Sequence, residues 1–291
     1  MTPSLVVPAS LDWLRAEPTG QRWLAGLPAV FSDLCEQWSL APDGPVFYGS
    51  HVSCVVPVLR QDEPVVLKIQ WPHHDCEHEA LALRLWDGDG AVRLLAHDES
   101  QHALLVERCT PGTTLGGGVP CDSALDALIG LLPRLWKPAA SQMGKLAVEA
   151  PSWASVMVDN WESDGRPCDR RLVDAALDYC RDLPASQGSQ VVVHQDLHGH
   201  NVLASEREPW LVIDPKPLAG EREFSLAPII RSPELGDPPD VLGRLDRLTG
   251  ELGLDRERAR GWAVAQSMAW SFGTPLGHRH HVVVRQLLDG V

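Results

Sequence analysis

Residues 191–203 read VVVHQDLHGHNVL, and residues 210–214 read WLVID. Each apolar run predicts a strand, and the polar residues after the first run predict a loop of the form H-x-D-x4-N. The second apolar run ends at Asp214. A hairpin that returns from Asn201 to Asp214 brings their side-chain oxygens close together. The segment therefore predicts a strand, a polar loop and a short hairpin that gather oxygen-bearing side chains at one place.

This loop has the side chains that phosphoryl transfer requires. The reaction needs a carboxylate that positions the attacking hydroxyl and accepts its proton, together with oxygen ligands that hold magnesium against the triphosphate. Asp196 suits the first task, and Asn201 and Asp214 suit the second. A lone His-x-Asp in a loop is more often a capped turn, but the strand context, Asn201 and Asp214 together favour a catalytic centre. The sequence predicts an enzyme that uses ATP and Mg²⁺.

A lysine on an apolar strand supplies a candidate phosphate-binding group. Lys68 lies within the run 65–69, between Leu67 and Ile69, and an acidic helix start follows it. A buried ammonium there can neutralise the α- and β-phosphates, and Glu79 can hold it in place. Glu77 is the weaker candidate for the same pairing. A lysine on a strand is otherwise a solvated edge residue.

Two further segments are candidates for nucleotide binding. Gly49, Ser50 and Ser53 lie in the turn between the first two predicted strands, where backbone N–H groups and hydroxyls can lie over the phosphates. The turn contains one glycine and is not GxGxxG, so a plain hairpin turn remains the alternative. Glu107 and Cys109 flank the end of the last predicted strand of the N-terminal half. An exposed backbone there can hydrogen-bond adenine, an assignment that depends on position alone.

Hydrophobic periodicity predicts an α+β fold of two parts. The first, residues 1–109, reads as a nucleotide-binding lobe with a leading helix at 21–40, strands at 46–48, 54–60, 64–70, 91–96 and 102–107, and a helix at 76–86. The second, residues 110–291, reads as a mainly helical lobe for catalysis and acceptor binding. Its first helix begins at a capping box of Ser123 and Asp126, with a kink at Pro133. Further helices are expected at 151–162, 171–182, 238–250, 255–271 and 281–289.

Composition excludes several other classes. The formal net charge of -14 opposes a nucleic-acid partner, which binds mainly through basic surfaces, but it tolerates a cationic substrate. Seven cysteines without a CxxC pair predict reduced thiols, and twelve histidines without HExxH predict no zinc site. The absence of a basic, apolar leader and of a long apolar run predicts a cytoplasmic protein with no membrane partner.

The whole pattern resembles the aminoglycoside phosphotransferase superfamily, and more narrowly its streptomycin 6-phosphotransferase and hydroxyurea phosphotransferase family. The stretches that carry the resemblance are 53–60, 92–95, 105–108 and 194–218. The resemblance implies a protein-kinase-like bilobal fold, with Asp196 as catalytic base and with Asn201 and Asp214 as magnesium ligands. Asp214 is followed by Pro-Lys in place of the Phe-Gly of protein kinases, no Ala-Pro-Glu segment follows, and only 77 residues remain. A protein kinase is therefore disfavoured.

The acceptor remains open between two small molecules. A guanidinium-bearing, streptomycin-like aminoglycoside is favoured because several carboxylates are available to pair with it, and hydroxyurea or another small metabolite is the alternative. The candidate substrate residues are Asp159, Glu162, Asp164, Glu221 and Glu223, with Trp270 as a wall of the acceptor pocket. A non-catalytic nucleotide-binding module is a third hypothesis, which the complete catalytic set opposes. The phosphorylated hydroxyl, the choice between ATP and GTP, the oligomeric state and a role in resistance stay open.

Overall fold

The computed structural model describes residues 5–47, 50–235 and 240–290. The chain forms two compact units, of which the first ends at Gly112 and the second begins at Thr113. The assignment of residues 1–109 and 110–291 to separate functional lobes stays a prediction. Among the described residues, no helix combines the length and the apolar character that crossing a bilayer would require.

The first unit opens with a short 3₁₀ segment, Ala9–Ala16, and a long amphipathic helix, α1 (Pro18–Trp38). Its apolar positions recur every three or four residues, so Leu27, Phe31 and Leu34 share one face and are buried. That face packs in one core cluster with the sheet of the same unit. The helix ends at Ser39, whose left-handed backbone (φ 54°) stops the helical turn.

The sheet of the first unit is antiparallel and has the order β1-β2-β3-β5-β4. Its strands are β1 (Leu40–Pro42), β2 (Ser53–Arg60), β3 (Glu63–Gln70), β4 (Leu94–Asp98) and β5 (Ala103–Glu107). A short helix, α2 (Glu79–Trp86), follows β3. The register places Lys68 between Val55 and Leu104, in the middle of the sheet.

Several boundaries in this unit differ from those predicted, among them those of the first strand and of the helix after β3. The first strand is β1, and residues 46 and 47 lie outside any strand, although Phe47 N–H donates to the carbonyl of Val55 at 2.8 Å. Tyr48 lies outside the described residues. Pro42 fits β1 because this strand is at the sheet edge, where a missing N–H is tolerated. The helix predicted from residue 76 begins at Glu79, after a 3₁₀ turn at His74–Cys76.

The second unit is mainly helical, and α8 lies at its centre. Its helices are α3 (Cys121–Leu135), α4 (Leu146–Ser163), α5 (Arg170–Asp182), α6 (Ala227–Arg231), α7 (Val241–Leu252), α8 (Arg256–Ala269) and α9 (Gly277–Asp289). Helix α8 packs against α4, α5, α6, α7 and α9. Gly261 permits a close approach, because a Cβ there would lie 2.7 Å from the ring of Tyr179.

The predicted capping box of α3 is wrong. The helix begins at Cys121, earlier than expected, and its N-cap residue is Pro120, with no side-chain capping bond. Ser123 and Asp126 therefore lie inside the helix, and the Asp126 carboxylate accepts a hydrogen bond from Arg247 instead. Pro133 lies inside the helix near its end.

Short strands support the polar loop of the second unit. They are β6 (Pro111–Thr114), β7 (Val191–His194), β8 (Val202–Ser205), β9 (Trp210–Val212) and β10 (Pro217–Gly220). Strand β7 pairs with β10, and a second sheet has the order β6-β8-β9. The expected sequence of strand, polar loop, short strand, turn and strand is observed in β7, β8 and β9, whereas β6 and β10 were not predicted. The loop between β7 and β8 is thus anchored in two different sheets.

Candidate active site

His194, the last residue of β7, stabilises the polar loop through hydrogen bonds of its imidazole ring. Its Nδ1 accepts hydrogen bonds from the N–H groups of Asp196 (3.1 Å) and Lys216 (3.5 Å), so Nε2 carries the proton and donates to the carbonyl of Ile213 at 3.3 Å. Burial lowers the pKa of His194 to about 4, against the opposing effect of the charges on Asp196 and Asp214. The neutral ring joins the loop after β7 to the segment that leads into β10.

Asp196 carries the candidate catalytic carboxylate. Its Oδ2 lies 2.9 Å from Lys216 Nζ, and its Oδ1 lies 3.9 Å from both Arg231 Nη2 and His198 Nε2. Burial raises the pKa of Asp196, but the three neighbouring basic groups outweigh burial and hold that pKa below its ordinary value. The side chain keeps 18% of its surface exposed. Asp196 is therefore an ionised carboxylate that a ligand can reach.

Asn201 and Asp214 are placed next to each other by the β8–β9 hairpin. The N–H of Ile213 donates to the carbonyl of Asn201 at 3.0 Å, which extends the β8–β9 pairing as far as these residues. Asn201 Nδ2 donates to the main-chain carbonyl of Asp196 at 2.9 Å, which leaves the amide Oδ1 as the candidate ligand. Asp214 has a left-handed backbone (φ 51°), a conformation that aspartate tolerates better than most residues.

The donor set fits magnesium better than a softer metal. Among the described residues, no group of three or more His, Cys, Asp or Glu side chains is arranged to hold an ion. An amide oxygen from Asn201 and a carboxylate from Asp214 are hard ligands, and Mg²⁺ is usually bound by one or two protein oxygens completed by phosphate and water. The site thus fits an ion that arrives with a nucleotide.

A buried polar chain lies behind Asp196. Arg231 Nη1 donates to Gln266 Oε1 at 2.6 Å, and Gln266 Nε2 donates to the carbonyl of Gln195 at 2.7 Å. Burial lowers the pKa of Arg231 to about 10, although the charges of Asp196 and Glu234 oppose this shift. The chain fixes a positive charge behind the carboxylate and ties the loop to α8.

Trp270, predicted as a wall of the acceptor pocket, lies beside this centre. The guanidinium carbon of Arg231 is 4.6 Å from the centroid of its ring, and Lys216 Nζ is 5.2 Å from it. Both distances are within cation–π range. The indole therefore holds the two cations that face Asp196, and contact between Trp270 and an acceptor stays a prediction.

In the first unit, Lys68 Nζ and Glu79 Oε2 form an ion pair of 2.6 Å. Gln70 Nε2 donates to the same oxygen at 2.6 Å. Side chains alternate between the faces of a strand, so Lys68 and Gln70 share the face opposite to Leu67. All three polar residues are buried, whereas Glu77, the weaker candidate, is exposed. Glu79 therefore fixes the lysine, and Gln70 in turn holds Glu79.

The turn before β2 is described only in part. Gly49 lies outside the described residues. Ser50 Oγ accepts a hydrogen bond from Ser53 N–H at 3.1 Å, and Ser53 is buried. The Ser50 hydroxyl therefore closes the turn, and phosphate binding by this segment stays a prediction.

The side chain of Glu107 forms a hydrogen bond within the first unit. Its Oε2 accepts from Arg93 N–H at 3.0 Å, and its own N–H donates to the carbonyl of Arg93 at 2.9 Å. Cys109 is half-buried. Adenine recognition by the main chain of this segment stays a prediction.

Glu221 does not fit the substrate role predicted for it. Its side chain is buried and accepts two hydrogen bonds from Arg258, from Nη2 at 2.7 Å to Oε1 and from Nε at 3.0 Å to Oε2. Trp262 Nε1 also donates to Oε1. A buried carboxylate needs such partners, and they occupy the groups that a substrate would use. Glu223 is half-exposed, and its Oε1 accepts from Asp255 N–H at 3.4 Å.

Sequence reasoning missed Lys216, Arg231 and Gln266. The sequence does contain a reason to consider Lys216 as a site residue, because it follows Asp214 by two positions in a chain with only four lysines. The reason to consider Arg231 is weaker: it is a charged residue at the end of the apolar run 226–230. Gln266 lies in a helix of ordinary polarity, and nothing in its neighbourhood marks it.

Comparisons with known proteins agree with this geometry. A sequence model of the family described as aminoglycoside/hydroxyurea antibiotic resistance kinase matches residues 37–272. The streptomycin 6-kinases of Streptomyces glaucescens and Streptomyces griseus are 38% and 40% identical to the chain, over 86% and 85% of its length and 85% and 82% of theirs. The hydroxyurea phosphotransferase of Kitasatospora aureofaciens is 39% identical, over 86% of this chain and 75% of its own.

Solved structures of kinases share the fold. The choline kinase LicA from Streptococcus pneumoniae superposes with a TM-score of 0.63 over 91% of this chain and 99% of its own, at 14% identity. The aminoglycoside phosphotransferase APH(4)-Ia superposes with a TM-score of 0.63 over 91% of this chain and 97% of its own, at 16% identity. At such identities the likeness concerns the fold alone, which is the kinase-like α+β fold expected from the sequence.

Proposed function

The chain belongs to the aminoglycoside/hydroxyurea antibiotic resistance kinase family, and on this premise we propose that it phosphorylates a hydroxyl group of a streptomycin-like aminoglycoside with Mg²⁺ and ATP. The observation that carries the proposal is the grouping of Asp196, Asn201 and Asp214 around one loop and one hairpin. An ionised carboxylate and two neighbouring oxygen ligands are the groups that a hydroxyl-directed phosphotransferase needs.

Each residue has a defined task in this reaction. Asp196 accepts a hydrogen bond from the acceptor hydroxyl, orients it and takes its proton as the oxygen bonds to the γ-phosphorus. Asn201 and Asp214 hold the magnesium ion, which supplies positive charge to the phosphate oxygens when it is bound. The lowered pKa of Asp196 suits this order of events, because the carboxylate stays ionised until late in the reaction. The acceptor hydroxyl becomes acidic enough to give up its proton only as its oxygen bonds to phosphorus.

Lys68 is the proposed phosphate-binding residue of the first unit. Burial together with Glu79 and Gln70 holds its ammonium in one position, so a phosphate can bind there without first ordering a flexible side chain. The ammonium of this lysine then neutralises part of the negative charge of the nucleotide phosphates.

Two observations favour an aminoglycoside as the acceptor. Streptomycin kinases are among the relatives, and the net charge of -14 attracts a cationic molecule. The side chains of Asp159, Glu162 and Asp164, at and just after the end of α4, are exposed, unlike that of Glu221, although Glu162 pairs with Arg166 and Asp164 accepts from the N–H of Gly273. Hydroxyurea is the second candidate, since the hydroxyurea phosphotransferase is as similar to the chain as the streptomycin kinases are.

A substrate screen tests the proposal. The purified protein is supplied with Mg²⁺ and either ATP or GTP, and ADP or GDP release is measured with streptomycin, other aminoglycosides, hydroxyurea and simple sugars. We expect turnover with streptomycin and a product whose mass has increased by one phosphate group. Turnover with hydroxyurea alone would identify hydroxyurea as the acceptor and leave the assignment as a kinase intact. Nucleotide binding without turnover of any acceptor would contradict the assignment as an enzyme.

Salt dependence separates the two acceptors further. A charged acceptor bound by carboxylates should have a KM that rises with ionic strength, because the Debye length shortens to about 10 Å at 0.1 M salt. The KM for neutral hydroxyurea should stay nearly constant over the same range. A KM for streptomycin that does not change with salt would contradict the role given to the exposed carboxylates.

A further inference from the structure

Lys216 is held against the loop that carries Asp196 by main-chain and side-chain contacts. Its carbonyl accepts from Gln195 N–H at 3.1 Å, and its own N–H lies 3.5 Å from His194 Nδ1. Its Nζ lies 2.9 Å from Asp196 Oδ2 and 5.2 Å from the centroid of Trp270. The ammonium thus lies next to the oxygen that would receive the acceptor proton.

The two cations around Asp196 differ in how firmly they are held. Arg231 approaches Oδ1, is buried, and is committed to Gln266 and to the face of Trp270. Lys216 approaches Oδ2, and 26% of its side chain is exposed. Its stem is flexible, and an ammonium donates from one point in several directions. Arg231 therefore has a fixed position, and Lys216 is the cation that can change its partner.

The residue type at this position supports such a role. Of the 25 basic residues only four are lysines, Lys68, Lys137, Lys145 and Lys216, so arginine is the usual basic residue of this chain. A guanidinium beside Asp196 can bind both carboxylate oxygens as a fork, which makes a change of partner slower. An ammonium occupies one oxygen and moves away from it at little geometric cost.

We propose that Lys216 is a catalytic residue whose ammonium passes from Asp196 to an oxygen of the transferred phosphoryl group during the reaction. The inference rests on the function proposed above. As the acceptor oxygen bonds to the γ-phosphorus, the bond from phosphorus to the bridging oxygen breaks, and its electron pair leaves with ADP. The hydroxyl proton goes to Asp196 Oδ2. Protonation removes the charge that held Lys216 there, and the ammonium, with its three protons, neutralises the new phosphate ester.

Substitution of Lys216 separates its charge from its packing. Lys216→Met keeps an unbranched stem against Trp270, so we expect a folded protein with unchanged ADP affinity, a kcat lower by about 10²–10³-fold and a KM for ATP within a few-fold of wild type. Lys216→Arg restores the charge, and we expect its kcat to exceed that of Lys216→Met by at least about tenfold. Lys145→Met, which replaces an exposed lysine of the same unit, is the matched control.

The inference is overturned if Lys216→Met retains kcat within about threefold of wild type, or if Lys216→Arg is no better than Lys216→Met. A wild-type protein that turns over no acceptor would instead defeat the proposed function before Lys216 is considered. The two failures are therefore distinguishable.

A second measurement needs no substitution. The wild-type protein is treated with an amine-reactive reagent, and the labelling of each lysine is measured by peptide mass spectrometry. Both samples contain streptomycin as the acceptor and Mg²⁺ with ADP, and one of them also contains aluminium fluoride, which imitates the phosphoryl group in transfer. We expect labelling of Lys216 to fall by at least about fivefold with aluminium fluoride, and labelling of Lys145 to be unchanged. Equal labelling of Lys216 in the two samples would overturn the proposal even if Lys216→Met failed to fold.

Discussion

Gln266 Nε2 donates a hydrogen bond of 2.7 Å to the main-chain carbonyl of Gln195, the residue that precedes Asp196. The same amide accepts from Arg231 Nη1 through its oxygen, so one side chain of α8 binds both the loop and the buried cation behind the carboxylate. Gln266 is fully buried. The position of Asp196 therefore depends on a helix far from it in the sequence, and the local loop residues alone do not determine it.

Gln266→Leu should destabilise the protein and slow the reaction. The substitution leaves the carbonyl of Gln195 and one N–H of Arg231 buried without these partners, and each such group costs about 1–3 kcal/mol. We expect the free energy of unfolding in urea to fall by about 2–6 kcal/mol and kcat to fall with it. The exposed Gln142→Leu is the control. An unfolding free energy within about 0.5 kcal/mol of wild type would contradict this account.

Asp196→Asn should remove turnover while the fold and the nucleotide affinity persist. The amide retains the shape of the carboxylate but cannot take the hydroxyl proton, so we expect kcat to fall by at least about 10²-fold. Stopped-assay kinetics, calorimetric titration with Mg²⁺ and ATP, and thermal unfolding measure the three properties. Asp174→Asn, at an exposed position of α5, is the control. Near-normal turnover would reject Asp196 as the base.

Gly199→Ala should distort the loop that holds Asn201. A Cβ on Gly199 would lie 2.8 Å from Cα and 2.9 Å from N of Gly116, and these are backbone atoms that cannot rotate away. We expect a loss of about 1–3 kcal/mol in unfolding free energy. Gly250→Ala is the control, because no heavy atom lies within 4 Å of the Cβ added there. Helix propensity predicts a gain of up to about 1 kcal/mol for this second variant, and similar losses for the two variants would argue against crowding at Gly199.

His194 should make the protein less stable as the pH falls below neutrality. Burial lowers its pKa in the folded state to about 4 from the ordinary value of 6.5, so the unfolded chain binds a proton that the folded chain excludes between these values. This contribution is fully present above pH 6.5 and is lost as the pH falls toward 4, with a slope of at most about 1.4 kcal/mol per pH unit.

The variant His194→Gln isolates this group from the other titrating residues. We expect the unfolding free energy of the variant to depend on pH less steeply than that of wild type between pH 6.5 and 4, as measured by urea unfolding at several pH values. His278→Gln replaces an exposed histidine and serves as the control for a general effect of losing an imidazole. Parallel curves for wild type and His194→Gln would show that folding does not shift the pKa of His194.

Glu221→Gln should affect stability and leave acceptor binding unchanged. The substitution removes the charge that pairs with Arg258, and breaking a buried pair costs about 3–5 kcal/mol, with the lower value expected here because Arg258 remains partly exposed. Chemical unfolding measures the loss, and steady-state kinetics measure KM. Glu257→Gln on α8 is exposed and should cost less than about 1 kcal/mol. A stable Glu221→Gln protein with a raised KM for the acceptor would restore the substrate role.

Much of the fold followed from local patterns in the sequence. The spacing of Leu27, Phe31 and Leu34 predicted α1, and the apolar runs around the polar loop predicted β7, β8 and β9. A contact between Asn201 and the loop that carries Asp196 could also be expected from the sequence, since the two residues are only five positions apart. Periodicity and short spacing are properties of neighbouring residues, so the sequence alone determined these elements and identified the loop as the candidate centre.

The surroundings of that loop were decided only by the tertiary structure. Gln266 and Gln195 are separated by 71 positions, and Glu221 and Arg258 by 37. Whether a glutamate meets a substrate or a buried arginine depends on which helices pack together, and no local pattern contains that information. Lys216 is next to Asp196 for the same reason, because the pairing of β10 with β7 brings two distant segments side by side. Charge and burial in a packed interior are set by residues far apart in the chain, and the chemistry of Asp196 follows from them.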